Sequence, residues 1–363
     1  MTPEEEQEFN ACVTRISELL YQDSQSQSLP MKTLAEIECT VRTQLQTHVS
    51  PQMGPFFIDQ VSPPDVGEYR RTLKSILGKL NLTRTQATAL KVKPNSQLSP
   101  YLEMCALRIS ANVSYAHASE DLAVLTGITV SSKTQQRLVH RQTFSPPSLT
   151  QGVTQLSLDG GNIRLITPKG EPCHWRGYKA VRINGDRVGL AYYQDHTSLC
   201  LAVNRFRFAA RVYCLGDGHV GIWKLYRQMR LPTQQEQILD WFHLMENLHK
   251  VGGSLKRLQQ AETFLWRGKI DEAIDLFCGL SKPQAKRFCQ YLRDHRERIP
   301  NYGYYQAEGI PIGSGAVESL VKQIDRRTKI SGAQWQEKHI PKVLAHRCAY
   351  LNRQLDSIFL LKK

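Results

Sequence analysis

No stretch of this sequence approaches 18 consecutive apolar residues, so it offers no transmembrane helix and no membrane partner is expected. The opening MTPEEEQEFN is acidic where a secretory signal would be basic and then apolar, which leads to the expectation of a cytoplasmic protein. Paired cysteines are also missing. The nine cysteines, at 12, 39, 105, 173, 200, 214, 278, 289 and 348, never form C-x-x-C. Zinc ribbons and fingers need ligands two to four residues apart, so that class is excluded and the thiols read as reduced and mostly buried. No repeat of solenoid length occurs. Positive charge is scarce at the start, where residues 1–60 hold three basic and nine acidic side chains, net −6.

The rest of the chain reverses that balance. Of 363 residues, 41% are hydrophobic and 22% charged, an ordinary globular composition with room for two or three domains. The formal charge is +14, so the 303 residues after the acidic start carry +20. Such an excess is the footprint of a protein that meets a polyanion, nucleic acid first among them.

Four segments are expected. Residues 1–60 read as acidic helices with Leu19, Leu20, Leu34, Ile37 and Val41 as apolar contacts, split by a Gln/Ser tract at 23–28. The Pro-containing stretch 50–64 reads as a linker. Residues 61–150 read as helical. Ser99-Pro100 opens a helix, and YAHASEDLAVLTGITVSSKTQQRLVHR (115–141) places Ala118, Leu122 and Leu125 on one stripe. Gly127 then offers a turn, and Ser131 or Ser132 caps a second helix displaying Lys133, Gln135, Arg137 and Arg141. That is the texture of a helix-turn-helix, whose second helix enters the DNA major groove, and also of helical hairpins that touch no DNA.

Residues 151–350 switch to strands and then helices. TQLSLDGGNIRLI (154–166), KAVRINGDRVGLAYY (179–193) about an Asn184-Gly185-Asp186 turn, and ARVYCLGDGHVGIW (210–223) alternate or run apolar. ILDWFHLMENL (238–248) leads into a helix, 251–299 is helical throughout, and 312–335 is a Gly-rich turn followed by a helix. An α/β core with an all-helical insertion is expected, followed by a tail at 351–363.

Three carboxylates sit where chemistry is possible. Asp159 ends an apolar strand before two glycines, Asp217 ends another beside glycine, and Glu318 lies just inside a helix behind Gly313-Ser314-Gly315. Two Mg²⁺ ions sharing a site need carboxylates from separate elements, and such a pair supports in-line displacement at phosphorus. Asp-Gly is equally a hairpin signal, and Glu318 with Lys322 is equally an i,i+4 surface pair.

The strings SLDGG, LGDGHVGIW, ILDWFHLMENL and IPIGSGAVES, in this order, resemble the ISKra family of bacterial insertion-sequence transposases, and SYAHASEDLAVLTGITVSSKT resembles the helical segment preceding its catalytic domain. The likeness covers roughly residues 98–350. It implies a DDE transposase with an RNase H-like mixed-sheet catalytic core, binding element terminal inverted repeats and target DNA as a homodimer or higher multimer. It also implies Asp159, Asp217 and Glu318 as catalytic ligands of two Mg²⁺ (or Mn²⁺) ions. Asp240 and His243 of DWFH match an auxiliary Asp-x-x-His motif, and the helices of 251–299 match the family's insertion domain. The chain departs from the family in having no cysteine in 61–97, where relatives often carry a zinc-binding segment. Beyond Glu318, a basic stretch of Lys322, Arg326, Arg327 and Lys329, with Trp335, reads as a phosphate-contacting and base-stacking surface or as a solvated face over a packed Trp335. Asp325, two turns on, is the substitute third ligand. A retired DNA-binding relative and a nuclease without strand transfer remain alternatives.

Overall fold

A computed structural model describes residues 1–64, 70–185 and 187–355. Asp186 of the expected turn and residues 356–363 of the expected tail lie outside the described residues. The described chain divides into two compact units, Met1–Leu138 and Val139–Leu355, rather than at the expected positions 60 and 150. No described helix is long and apolar enough to cross a membrane.

In the first unit, helices begin where the sequence supplies caps. Thr2 and Glu5 form a capping box that opens α1 (Pro3–Ser26), and Thr33 with Glu36 does the same for α2 (Leu34–Gln44). A π-turn over Leu45–Val49 leads into α3 (Ser50–Val61), so most of the expected 50–64 linker is helix. Pro51 falls in the first turn, where its preset φ favours the helix; Pro55 removes one hydrogen bond only. The expected all-helical stretch 61–150 contains an antiparallel hairpin, β1 (Arg70–Ser75) and β2 (Gly78–Thr83). Its alternation is plain in hindsight, for Leu73, Leu80 and Leu82 are all buried.

After α4 (Arg84–Ala89) come α5 (Pro100–Ser110), capped by Ser99, and α6 (Tyr115–Thr126), ended by Gly127 at φ +73°. Ser131 Oγ accepts from the Thr134 N–H to cap α7 (Ser132–Arg141), inside which the two units divide. Ala118 and Leu122 are buried, but Leu125 is 70% exposed and leaves the expected stripe. The last carbonyls of α6 are held by polar side chains instead. Arg42 Nη1 donates to the Val124 carbonyl and Gln46 Nε2 to that of Thr126, both at 2.7 Å.

The second unit is a mixed five-stranded sheet between helical layers. It comprises β3 (Val153–Arg164), β4 (Trp175–Ile183), β5 (Val188–Tyr193), α8 (His196–Val203), β6 (Phe208–Gly216), α9 (Val220–Gln228), β7 (Gln234–Leu239) and α10 (Trp241–His249). Helices α11 (Leu255–Trp266), α12 (Ile270–Cys278) and α13 (Pro283–Asp294) form the helical insertion; α14 (Tyr302–Ala307), α15 (Gly315–Thr328) and α16 (Ile340–Leu351) follow. Strand order is β5-β4-β3-β6-β7; β4 is antiparallel to both neighbours, and β3, β6 and β7 run parallel.

Strand parity sorts the two faces. Leu156, Leu158, Val181 and Ile183 point into one core with α8, α9, α10 and the insertion. Ile163, Tyr178, Ala180 and Ala191 point into another with α15 and α16. Tyr226 of α9 locks the centre, its hydroxyl lying 2.8 Å from the Leu215 carbonyl and 3.2 Å from that of Leu156. Among the cysteines, 200, 214, 289 and 348 are buried as expected, while 12, 39, 173 and 278 are exposed.

Gly160 sits where β3 and β4 lie closest. A Cβ there would stand 2.3 Å from the Tyr178 carbonyl oxygen, a backbone atom of β4. Gly160→Ala is expected to cost about 2–3 kcal/mol and to lower the melting temperature by roughly 4–12 °C in a thermal scan. An unchanged melting temperature would mean that β4 yields without cost.

Candidate active site

Sheet register aligns three carboxylates. Ser157 pairs with Leu215, and two residues further along the parallel strands stand Asp159 and Asp217; Gly216 pairs with Leu239, and one residue further stand Asp217 and Asp240. The carboxyl ends of adjacent parallel strands are where α/β sheets open a crevice. Asp159 is within the continuous strand β3, paired with Ala180, so it forms no hairpin turn. It shares strand parity with Ile163, which puts it on the sheet face that α15 covers. Asp217 does act as a turn former as well. Its Oδ1 accepts the His219 N–H at 2.8 Å, and Gly218 follows at φ +94°.

Asp240 is fully buried and organises the crevice. Its Oδ1 accepts the His243 N–H at 2.8 Å and so caps α10. Its Oδ2 accepts both the backbone N–H and the hydroxyl of Ser314, the latter at 2.7 Å. Ser314 Oγ also lies 3.2 Å from Oε1 of Glu318, so its one hydroxyl proton is within reach of either carboxylate. His243 Nδ1 stands 3.2 Å from Asp240 Oδ1 and 3.8 Å from Glu318 Oε1, as ion-pair contacts rather than aligned hydrogen bonds. Glu318 is thereby held by Ser314 and His243 in the first turn of α15 rather than by Lys322.

The electrostatics distinguish the members. Burial, reinforced by the charges of Asp217 and Glu318, pushes the Asp159 carboxyl up, against a backbone hydrogen bond and Lys179. Burial acts on Asp240 in the same sense, but the hydrogen bonds from His243 and Ser314 outweigh it and hold that carboxyl below its ordinary range. The hydrogen bond to Asp240 raises His243 to about 9 against the opposing effect of burial, with the charges of Asp240, Glu318 and Asp217 adding to the rise.

Asp240, His243 and Glu318 have ligand atoms within 4.8 Å of one another, a spacing compatible with a metal ion. Chemistry argues for a different set. Both Asp240 oxygens already accept hydrogen bonds, and a His243 protonated at neutral pH offers no lone pair. Asp159, Asp217 and Glu318 form an all-oxygen donor set whose mutual repulsion already shows in the raised Asp159 carboxyl, which suits a hard dication such as Mg²⁺ or Mn²⁺. Neither a protein-family model nor a curated protein matches the chain.

The expected DNA-facing residues divide. Lys133, Arg137, Arg141, Lys322, Arg326 and Lys329 are exposed. Lys329 is engaged by Asp325 at 2.6 Å, and Asp325 also accepts from the Tyr178 hydroxyl at 3.0 Å, so Asp325 is committed elsewhere and is no substitute for Glu318. Gln135 must be withdrawn. It is fully buried, with Oε1 accepting from the Ser110 hydroxyl at 2.6 Å, because position 135 faces α5. Arg327 is withdrawn too; only 2% exposed, its guanidinium stacks on the Trp335 ring at 4.9 Å. Trp335 is a packing residue rather than a free stacking platform. Its Nε1 donates to the Thr328 carbonyl at 2.8 Å, and its backbone bridges to Arg164 and Ile166 of the β3 end. The sequence reading took Ser314 for part of a flexible glycine turn, and only its serine among glycines hinted at a fixed role.

Proposed function

We propose that the chain is a DDE transposase of an insertion sequence, with an RNase H-like catalytic core that cuts phosphodiester bonds at element ends and joins the freed 3′-hydroxyl to target DNA. One observation carries the reading: Asp159, Asp217 and Glu318 come from β3, the end of β6 and the start of α15 to influence one another's charge in a single crevice. Two further features support it. The order β5-β4-β3-β6-β7 with β4 alone reversed is the arrangement an RNase H-like core requires, and the basic excess after residue 60 suits a phosphate backbone.

In this reading Asp159, Asp217 and Glu318 would hold two Mg²⁺ or Mn²⁺ ions, which when bound activate the attacking oxygen and stabilise the leaving one in an in-line displacement. The chain's other residues set the geometry. Asp240 fixes Ser314 and the start of α10, Ser314 and His243 fix the Glu318 carboxylate, and the protonated imidazole lends positive charge to a crowded acidic crevice. Exposed Lys133, Arg137, Arg141, Lys322 and Arg326 contribute phosphate contacts. Its partners are then terminal inverted repeats and target DNA, met in the cytoplasm.

The test is processing of labelled duplexes bearing the element's ends, with Mg²⁺, Mn²⁺, Ca²⁺ or EDTA. Cut and joined products with Mg²⁺ or Mn²⁺ and none in EDTA are expected. Tight, salt-sensitive binding with no product in any metal would replace the enzyme by a DNA-binding relative. Cutting without joining would reduce it to a nuclease.

A further inference from the structure

The acidic helices that the proposed chemistry leaves unused carry an interface. In α1, Phe9, Val13, Ile16 and Leu20 follow one another at spacings of four, three and four residues, the apolar ridge of a helix that packs lengthwise on another helix. This ridge borders an apolar groove of about 660 Å³ whose other wall includes Val41 and Leu45. Apart from Leu20, these side chains are between 40 and 53% exposed, and other large apolar residues of 19–61 reach up to 74%.

The area is what a dimer needs. An aromatic side chain buries roughly 150–250 Å², and full burial of an aliphatic one, at ~1.5–3 kcal/mol and ~25 cal/mol per Å², corresponds to roughly 60–120 Å². With these side chains about half exposed, residues 9–61 present on the order of 600–1,100 Å² of apolar surface. That range reaches beyond the ~300–600 Å² of the largest patch on a typical monomer and brackets the ~800 Å² that each partner gives to a standard interface.

We propose that this groove takes the α1 ridge of a second copy of the chain, forming a twofold dimer. Ridge and groove belong to the same helices, so one surface supplies both halves of a self-complementary contact. Charge sets the character of the dimer. Glu4, Glu5, Glu6, Glu8, Glu18 and Asp23 of α1 face only Arg15 in opposition, so two copies bring like charges to the rim. Added salt therefore tightens the association, whereas a basic partner in the same groove would be weakened by it. The proposal is independent of the assignment of the active site.

Sedimentation velocity of the full chain over roughly 1–100 µM tests it, with a dissociation constant at or below ~1 µM expected. Val13→Glu with Ile16→Glu should raise that constant at least ~100-fold, with the circular dichroism spectrum unchanged. Cys12 lines the groove while Cys39, also exposed, does not, so maleimide labelling gives a second reading that needs no variant. Cys12 should be protected at dimer-forming concentrations and reactive on dilution, with Cys39 reactive throughout. A native protein that is monomeric across the range, a dimer that survives the double substitution, an association weakened by salt, or equal labelling of Cys12 and Cys39 at every concentration would each overturn it.

Discussion

Asp159→Asn should lower Mg²⁺-dependent DNA cleavage by at least ~100-fold while leaving DNA affinity within a factor of about two. The two effects separate because the basic excess that binds the backbone lies elsewhere in the sequence, while Asp159 stands in the carboxylate crevice. A third readout follows from the same electrostatics. In EDTA, native Asp159 is a desolvated carboxylate beside two like charges, so its neutral isostere should melt at a higher temperature than the native chain. Mg²⁺ should reverse the order. A cation that binds only the folded state at ~100 times its dissociation constant adds about 2.7 kcal/mol, and the variant should lose most of that gain. Cleavage surviving in Asp159→Asn would remove this residue from the site, and a melting temperature unmoved by Mg²⁺ in the native chain would remove the cation.

Asp159 was legible in the sequence because everything that marks it is local: an apolar alternation before it and two glycines after it. The second of those glycines proves as constrained as the first, since a Cβ on Gly161 would stand 2.7 Å from the Tyr178 ring. The strands and the helical stretch 251–299 were legible for the same reason, as periodicity is a property of neighbours along the chain. What escaped depended on distant partners. The bond between Ser314 and Asp240 spans 74 residues, and nothing near Ser314 announces that its hydroxyl is committed. Gln135 reads as a surface residue of a basic helix until Ser110 arrives to bury it, and Trp335 reads as exposed until Arg327 covers its ring. The linker expected at 50–64 failed differently. Proline was weighed as a breaker, whereas Pro51 occupies the one turn of a helix that favours it.

Asp240→Ala is expected to be the most damaging single change to the fold of the second unit, at about 3–5 kcal/mol. The carboxylate is fully buried and accepts from the His243 N–H, the Ser314 N–H and the Ser314 hydroxyl, so its removal orphans donors on α10 and on the entry to α15 together. Asp240→Asn keeps the shape and removes the charge, which isolates the electrostatic part. It turns an acceptor into a donor facing either Ser314 or the α10 N–H, and it takes the anion from beside His243. Proton NMR of His243 in EDTA should then show its pKa falling from about 9 toward the ordinary value near 6.5. The sign for stability follows from that raised value. The pair's contribution is complete below pH 6.5 and is lost as pH rises through about 9, so the native and Asn chains should differ most in acid-to-neutral solution and converge in base. Glu318 also loses its anchor when Ser314 is freed, so DNA cleavage should fall in both variants even at temperatures where each remains folded. A folded Asp240→Asn chain with native cleavage and an unshifted His243 would show that Glu318 is positioned without this network.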